Sequence, residues 1–260
     1  MGAKRSLGQN FLQNSGIVEK IIAFAEIRPD ECVLEIGPGK GILTHALARQ
    51  SAHLTAIEKD DLLFERLDGI FKESDHVTVV HGDILECDLD DFIRPGIKIV
   101  ANLPYNIASR LIIRLTDYAR QITSAVFMVQ KEVARRICAH AGQSDYSALS
   151  VLVSTAFTPI PGFVVGPNNF IPKPKVDSQL IKLISKGTTL NKEDARILKK
   201  VVFTAFNQRR KMLKNSLLAL EGIDKDSFHE FARNADIDPS MRPQDLTPED
   251  YLRLSLFCKR

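Results

Sequence analysis

Asn102-Leu103-Pro104-Tyr105 carries side chains and carbonyls suited to one kind of chemistry, methylation of an exocyclic amine. The lone pair of an amine such as adenine N6 is delocalised into its ring, so it is a poor nucleophile. The Asn102 side-chain oxygen and the Leu103 or Pro104 carbonyl could accept its two N–H bonds and direct the lone pair at an electrophilic methyl. Tyr105 offers a face for a base taken out of its stack. Transfer is then an in-line displacement in which positioning and electrostatics do the catalysis, with neither a metal nor a covalent intermediate required. None of the four cysteines follows a proline, so the Pro-Cys nucleophile of cytosine-C5 methylation is missing. The plainer reading of the tetrapeptide is a turn with a core tyrosine.

Three other short segments suggest what would donate the methyl. Glu35-Ile36-Gly37-Pro38-Gly39-Lys40-Gly41 is a glycine loop that lets backbone approach a ligand, followed by a helix start. Its G-x-G-x-G spacing differs from the dinucleotide fingerprint, and Gly41 stands where a phosphate-binding loop needs Ser or Thr. Glu58 follows at the separation of a ribose-gripping acid, and Asp83 closes a third segment. The Asp83 carboxylate could accept from an adenine amine, with the Ile84 amide facing a ring nitrogen. Singly, each fits a strand-end cap or a tight turn. Together, and without a phosphate motif, they fit S-adenosylmethionine best, with Gly37, Gly39, Glu58, Asp83 and Ile84 as cofactor contacts.

These segments need a scaffold that brings them to one edge. Cys32–Ile36, Leu54–Glu58, Val77–His81, Ile97–Ala101 and Ala125–Gln130 are short, apolar, Val/Ile-rich runs, as expected of parallel strands covered on both faces. Amphipathic stretches alternate with them, marked by Ile17/Ile21/Ala25, Leu43/Ala46/Leu47, Leu62/Leu63/Leu67, Ile107–Leu115 and Glu132–Ala139. Every chemical segment then falls at a strand's carboxyl end, where open α/β sheets bind ligands. A helix with Leu149, Leu152, Val153 and Ala156 leads into a proline- and glycine-punctuated stretch, Thr158–Pro174, read as irregular. The alternating run Val176–Ile184 is a late strand that could close the sheet antiparallel. Lys186-Gly187-Thr188-Thr189 looks like a linker, and Leu198, Val202 and Phe206 mark a helical tail. The expected fold is α/β: a Rossmann-like methyltransferase sheet with helices on both faces over residues 1–185, and a small all-helical domain over 186–260.

Composition sets the outer limits. No run approaches the ~18 apolar residues of a membrane span, and the first residues lack an apolar core of signal-peptide length. The scattered cysteines (Cys32, Cys87, Cys138, Cys258) have no CxxC, and the six histidines have no metal-like spacing. No membrane, no metal and a cytoplasmic location are expected, with Cys32 in the core. The net charge of +3 is uneven. Residues 21–100 carry sixteen acidic against eight basic side chains, whereas 186–220 carry nine basic against two acidic. Such a segment could steer a polyanion or merely form a solvated helix face.

Gln9-Asn10-Phe11-Leu12, the Glu35–Gly41 loop, Gly82-Asp83, Asn102–Tyr105, Gln130–Val133, Phe170–Ser178 and Phe206–Lys211 occur in an order that resembles the KsgA-type ribosomal RNA adenine dimethyltransferases through nearly the whole chain. The resemblance implies transfer of four methyls from S-adenosylmethionine to two adjacent adenines near the 3′ end of 16S rRNA, late in 30S assembly. It also implies that Asn10 and Leu12 close over the cofactor and that Asn102 touches both cofactor and target amine. Phe170 would face Tyr105 across the flipped base. Lys173, Lys175, Arg209, Arg210 and Lys211 would contact RNA. A monomer is expected, with the 30S assembly intermediate as partner. Lys173 and Asn207 depart from the family pattern, outside the chemistry. Two other functions compete: an Erm-type large-subunit rRNA methyltransferase, and a catalytically idle assembly factor. The tetrapeptide and the basic tail favour the KsgA type over the first; intact Glu58, Asp83 and Asn102 weigh against the second.

Overall fold

The computed structural model describes residues 9–188, 190–220 and 225–257; Thr189 of the expected linker and Cys258 lie outside them. The elements run β1 (Phe11–Leu12), α1 (Ser15–Ala25), β2 (Cys32–Ile36), α2 (Ile42–Ala48), β3 (His53–Glu58), α3 (Asp61–Phe71), β4 (Val77–His81), β5 (Ile97–Asn102) and α4 (Ala108–Leu115). They continue with β6 (Ile122–Gln130), α5 (Lys131–Cys138), α6 (Ala148–Ala156), β7 (Phe157–Val165), β8 (Phe170–Ile171), β9 (Ser178–Ser185), α7 (Lys192–Asn207), α8 (Leu213–Ser216), α9 (Lys225–Asn234) and α10 (Pro248–Phe257).

A seven-stranded sheet has the order β4-β3-β2-β5-β6-β9-β7. Strands β4 to β6 are parallel, and β9 and β7 extend the sheet antiparallel. The apolar runs of β2, β5 and β6 are buried on both faces because one apolar cluster fills each side of the sheet. The order reverses between β2 and β5, so the chain leaves these neighbouring strands in opposite directions and opens a crevice above their carboxyl ends. A third cluster joins α7, α8, α9 and α10 to Tyr146, Val151 and Leu152, and Phe206 stands between the rings of Tyr146 and Tyr251 at 6.0 Å from each.

Three expectations change. The stretch from Thr158 was read as irregular, yet Phe157–Val165 is a strand. Pro159 and Pro161 are tolerated because β7 lies at the sheet edge, where a missing N–H leaves no partner unserved. Its ladder is irregular between Pro161 and Val164, and there a Cβ on Gly162 would come 2.9 Å from Leu180 Cβ. Cys32 is exposed rather than core, since it is the first residue of β2, at the strand's amino end opposite the cleft. Leu62 is also exposed, while Leu63 and Leu67 carry the buried face of α3.

A second, two-stranded ladder matters for the site: Phe11 pairs Ile171 and Leu12 pairs Phe170, antiparallel. It fastens the first described residues to the loop between β7 and β9. Next to it, Gln13 N–H donates to the Asn169 carbonyl (2.9 Å) and Asn14 Nδ2 to Asn169 Oδ1 (2.8 Å).

Candidate active site

The carboxyl ends of β2, β3, β4 and β5 meet at one cleft, lined by Gln9–Leu12, Glu35–Lys40, Glu58–Lys59, Gly82–Ile84 and Asn102–Ile107. Sequence-distant segments thus share one wall, as the positions of the motifs required.

The glycine loop turns through left-handed backbone at Gly37, Gly39 and Gly41 (φ 66°, 59° and 85°), where other residues are strained. Two of these glycines also serve packing. A Cβ on Gly39 would meet the Phe11 ring at 3.0 Å, and one on Gly41 would meet Leu67 Cδ2 at 2.5 Å. Of the three, Gly37 is the least crowded: a Cβ there would meet only Pro104 Cδ, at 4.0 Å. Lys40 sits over the other side of the arrangement, its Nζ 5.0 Å from the Phe11 ring centre.

Two carboxylates stand behind this loop. Glu58 is buried; its Oε2 accepts from Gly39 N–H (2.9 Å) and its Oε1 from Asp60 N–H (2.8 Å). Burial raises its pKa, and those amides oppose the rise. Part of its work is therefore to hold the loop, with lone pairs remaining for a ligand. Glu35 is 1 % exposed, and its Oε2 has no hydrogen-bond partner. Burial pushes its carboxyl up to about 8; the Thr44 hydroxyl tempers the rise and the Glu58 charge adds to it. A carboxyl with an unused oxygen on the wall of a cleft matches a ligand that brings a cationic amine.

Asp83 Oδ2 pairs with Lys59 Nζ at 2.6 Å, and its Oδ1 accepts from Leu85 N–H at 2.9 Å. Burial works against its charge, but the Lys59 ammonium, the Leu85 amide and the Arg110 guanidinium outweigh it and lower the pKa. Asp83 is thus an ionised acceptor. Ile84 is buried beside it.

Asn102 ends β5 on the cleft wall. Its Nδ2 donates to the Asn10 carbonyl (3.1 Å), which orients the amide, and its Oδ1 has no donor among the described residues. The Pro104 carbonyl accepts from Ile107 N–H (3.2 Å), leaving the Leu103 carbonyl as the more available second acceptor. Tyr105 is half-buried; its hydroxyl shares a 2.9 Å hydrogen bond with Ser178 Oγ. Burial raises its pKa, with Ser178 opposing. Ser178 is 1 % exposed and opens β9 opposite Gln130, so the Phe170–Ser178 segment reaches the tetrapeptide at Tyr105 and is paired there with the start of Gln130–Val133.

Asn10, Leu12, Gly37, Gly39, Glu58, Asp83, Ile84 and Asn102–Tyr105 all line the cleft. Phe170 is placed otherwise. It is 3 % exposed and belongs to the apolar cluster of Leu12, Val18, Val165 and Leu180, because β8 alternates and turns Ile171 outward instead. Its ring is buried in that cluster and anchors the loop. Lys173, Lys175, Arg210 and Lys211 are exposed. Arg209 is not part of that solvent-facing set: it donates to Gln244 Oε1 (3.0 Å) and the Ser144 carbonyl (2.6 Å). Sequence reasoning passed over Lys59 and Ser178. The signal for Ser178 was its place in a quoted motif; Lys59 had none. Glu35 did carry one, an acid inside an otherwise apolar strand.

Among the described residues, no group of three or more His, Cys, Asp or Glu could hold a metal ion, and no helix is long and apolar enough to cross a membrane. The chain is 39 % identical over 262 residues to the ribosomal RNA small subunit methyltransferase A of Ligilactobacillus salivarius, covering 97 % of this chain and 88 % of the relative. Its structure resembles a dimethyladenosine transferase from Plasmodium falciparum (TM-score 0.79, 26 % identity, 94 % of this chain and 95 % of that one). It also resembles the 23S rRNA methyltransferase ErmE (TM-score 0.69, 27 % identity, 96 % of this chain and all of the other). The model of the ribosomal RNA adenine dimethylase family matches residues 2–260, and the chain belongs to that family.

Proposed function

We propose that this protein methylates N6 of two adjacent adenines near the 3′ end of small-subunit rRNA, using S-adenosylmethionine. The observation that carries the reading is the Asn102 amide. It stands at the end of β5 with its oxygen unpaired among the described residues, in the cleft that also holds Glu58 and Asp83. The small-subunit relative supports the choice of substrate over the large-subunit one.

Bound S-adenosylmethionine supplies a methyl group on a cationic sulfur. Glu58 accepts from ribose hydroxyls with the lone pairs that Gly39 and Asp60 leave, and Asp83 accepts from the adenine amine of the cofactor. The unused oxygen of Glu35 suits the amino-acid ammonium. At the target, Asn102 Oδ1 and the Leu103 carbonyl accept the two N–H bonds of the base amine, which concentrates its lone pair and stabilises the positive charge that develops. Tyr105 stacks the base, its ring held by Ser178. Lys173, Lys175, Arg210 and Lys211 meet phosphates, and the helices beyond residue 186 form the RNA-facing unit. On this reading the protein acts in the cytoplasm, where its ribosomal substrate is found, and acts as a monomer.

The test is incubation with tritiated S-adenosylmethionine and undermethylated 30S or 50S particles, followed by mapping of the label. Two labelled adjacent adenines near the 3′ end of 16S rRNA are expected. Label confined to 23S rRNA would assign the Erm-type reaction, and no label on either would assign an idle binding factor.

A further inference from the structure

Arg114 stands on the last turn of α4. Its guanidinium is turned inward. Nη1 donates to the carbonyls of Ile84 (2.8 Å) and Leu85 (3.1 Å), and Nη2 to the carbonyl of Cys87 (2.5 Å). These three oxygens belong to the turn after β4. In the same turn the Asp83 carbonyl accepts from Glu86 N–H (2.8 Å) and Cys87 N–H (2.9 Å), while Asp83 Oδ1 accepts from Leu85 N–H (2.9 Å).

We propose that Arg114 is a positioning residue for adenine recognition in the cofactor cleft: it clamps the Asp83–Cys87 turn to the helix that follows the Asn102–Tyr105 segment. The inference rests on the reading of Asp83 as the acceptor for the cofactor's adenine amine. The orientation of the Asp83 carboxylate depends on where Leu85 N–H lies, and Arg114 fixes that peptide unit through its Ile84 carbonyl while also holding the Leu85 and Cys87 carbonyls farther along the turn. A planar fork with several donors can span three carbonyls at once; an ammonium reaches them only as a point charge. Arg114 acts from the end of α4 away from the tetrapeptide and does not itself line the cleft.

The readout is the preference for adenine over hypoxanthine, which lacks the N6 amine. Dissociation constants for S-adenosylhomocysteine and its inosine counterpart are measured by calorimetry on the full chain, for wild type, Asp83→Asn, Arg114→Met and Arg114→Lys. Wild type should prefer the adenine ligand by about tenfold or more, the worth of one hydrogen bond to a charged acceptor. Asp83→Asn should collapse the preference. Arg114→Met should reduce it by about threefold or more, with Arg114→Lys between Met and wild type, and kcat at saturating cofactor should change little. If Arg114→Met proves unfolded by circular dichroism, Arg114→Lys alone decides by the same ratio. A wild-type ratio in the Arg114 variants, or an equal loss for both ligands, overturns the positioning role. An unchanged ratio in Asp83→Asn overturns the reading of Asp83 itself, and the Arg114 inference with it.

Discussion

Replacing Glu35 with Gln should make the protein more stable, and increasingly so as pH rises. The carboxyl is fully buried between the glycine loop and the sheet, with one oxygen unpartnered, and its pKa is raised from 4.5 to about 8. The native state therefore holds a proton that the unfolded chain gives up above pH 4.5. Between the two values the unfolded state binds fewer protons, so the free energy of unfolding falls with rising pH and levels off above about 8. At about 1.4 kcal/mol per unit, this one group costs on the order of 3–5 kcal/mol by pH 8. Gln keeps the shape, carries no charge and has no such slope. Urea titrations of both proteins at pH 5, 6.5 and 8 give the difference curve directly, since groups not coupled to Glu35 cancel and the Glu58 contribution belongs to the same buried pair. The Gln variant should gain on wild type across that range by a few kcal/mol. Parallel stability curves would refute the argument and mean that Glu35 is charged and served in the native state.

Glu58→Ala should weaken S-adenosylmethionine binding by ~1–3 kcal/mol and loosen the Gly39 amide as well; Glu58→Gln, read by calorimetry, separates the two because it still accepts one bond. Tyr105→Ala should lower kcat on undermethylated particles strongly, whereas Tyr105→Phe keeps the ring and loses only the Ser178 bond, so it should retain most turnover; equal losses in single-turnover assays would move the role from the ring to the hydroxyl. Arg210→Gln with Lys211→Gln should flatten the plot of log particle affinity against log salt, while Arg209→Gln should lower thermal stability through the lost Ser144 and Gln244 contacts. A salt slope that responds to Arg209 alone would reverse that division.

The parallel half of the fold was legible because strands buried on both faces leave uninterrupted Val/Ile runs, and their spacing put Glu58, Asp83 and Asn102 at strand ends. The late strand was legible from its alternation. β7 was not, since Pro159 and Pro161 carry the same local signature as a loop, and only the edge position reconciles them with a strand. The site itself was readable where a residue type does the work. It was opaque where a partner distant in sequence decides the role. Nothing local to Arg114 announces the carbonyls some thirty positions earlier, nor to Arg209 the Ser144 carbonyl sixty-five positions away. Phe170 shows the same limit from the other side, because its pairing with Leu12 decides whether an aromatic ring faces a ligand or a core.

The short ladder between Phe11–Leu12 and Phe170–Ile171 has a consequence for cooperativity. Two residues on each strand contribute a few backbone hydrogen bonds, each worth roughly 1 kcal/mol, so this ladder has a smaller opening free energy than the seven-stranded sheet beneath it. Yet the Asn10 carbonyl that orients the Asn102 amide comes immediately before it. Catalytic alignment therefore rests on this short ladder together with the burial of Leu12 and Phe170 in the core beneath it. In amide exchange, the protons around Phe11 and Phe170 should share one opening rate well above that of β5. A change that weakens the ladder's hydrogen bonds alone would lower the fraction of aligned enzyme more than it lowers the stability of the whole chain.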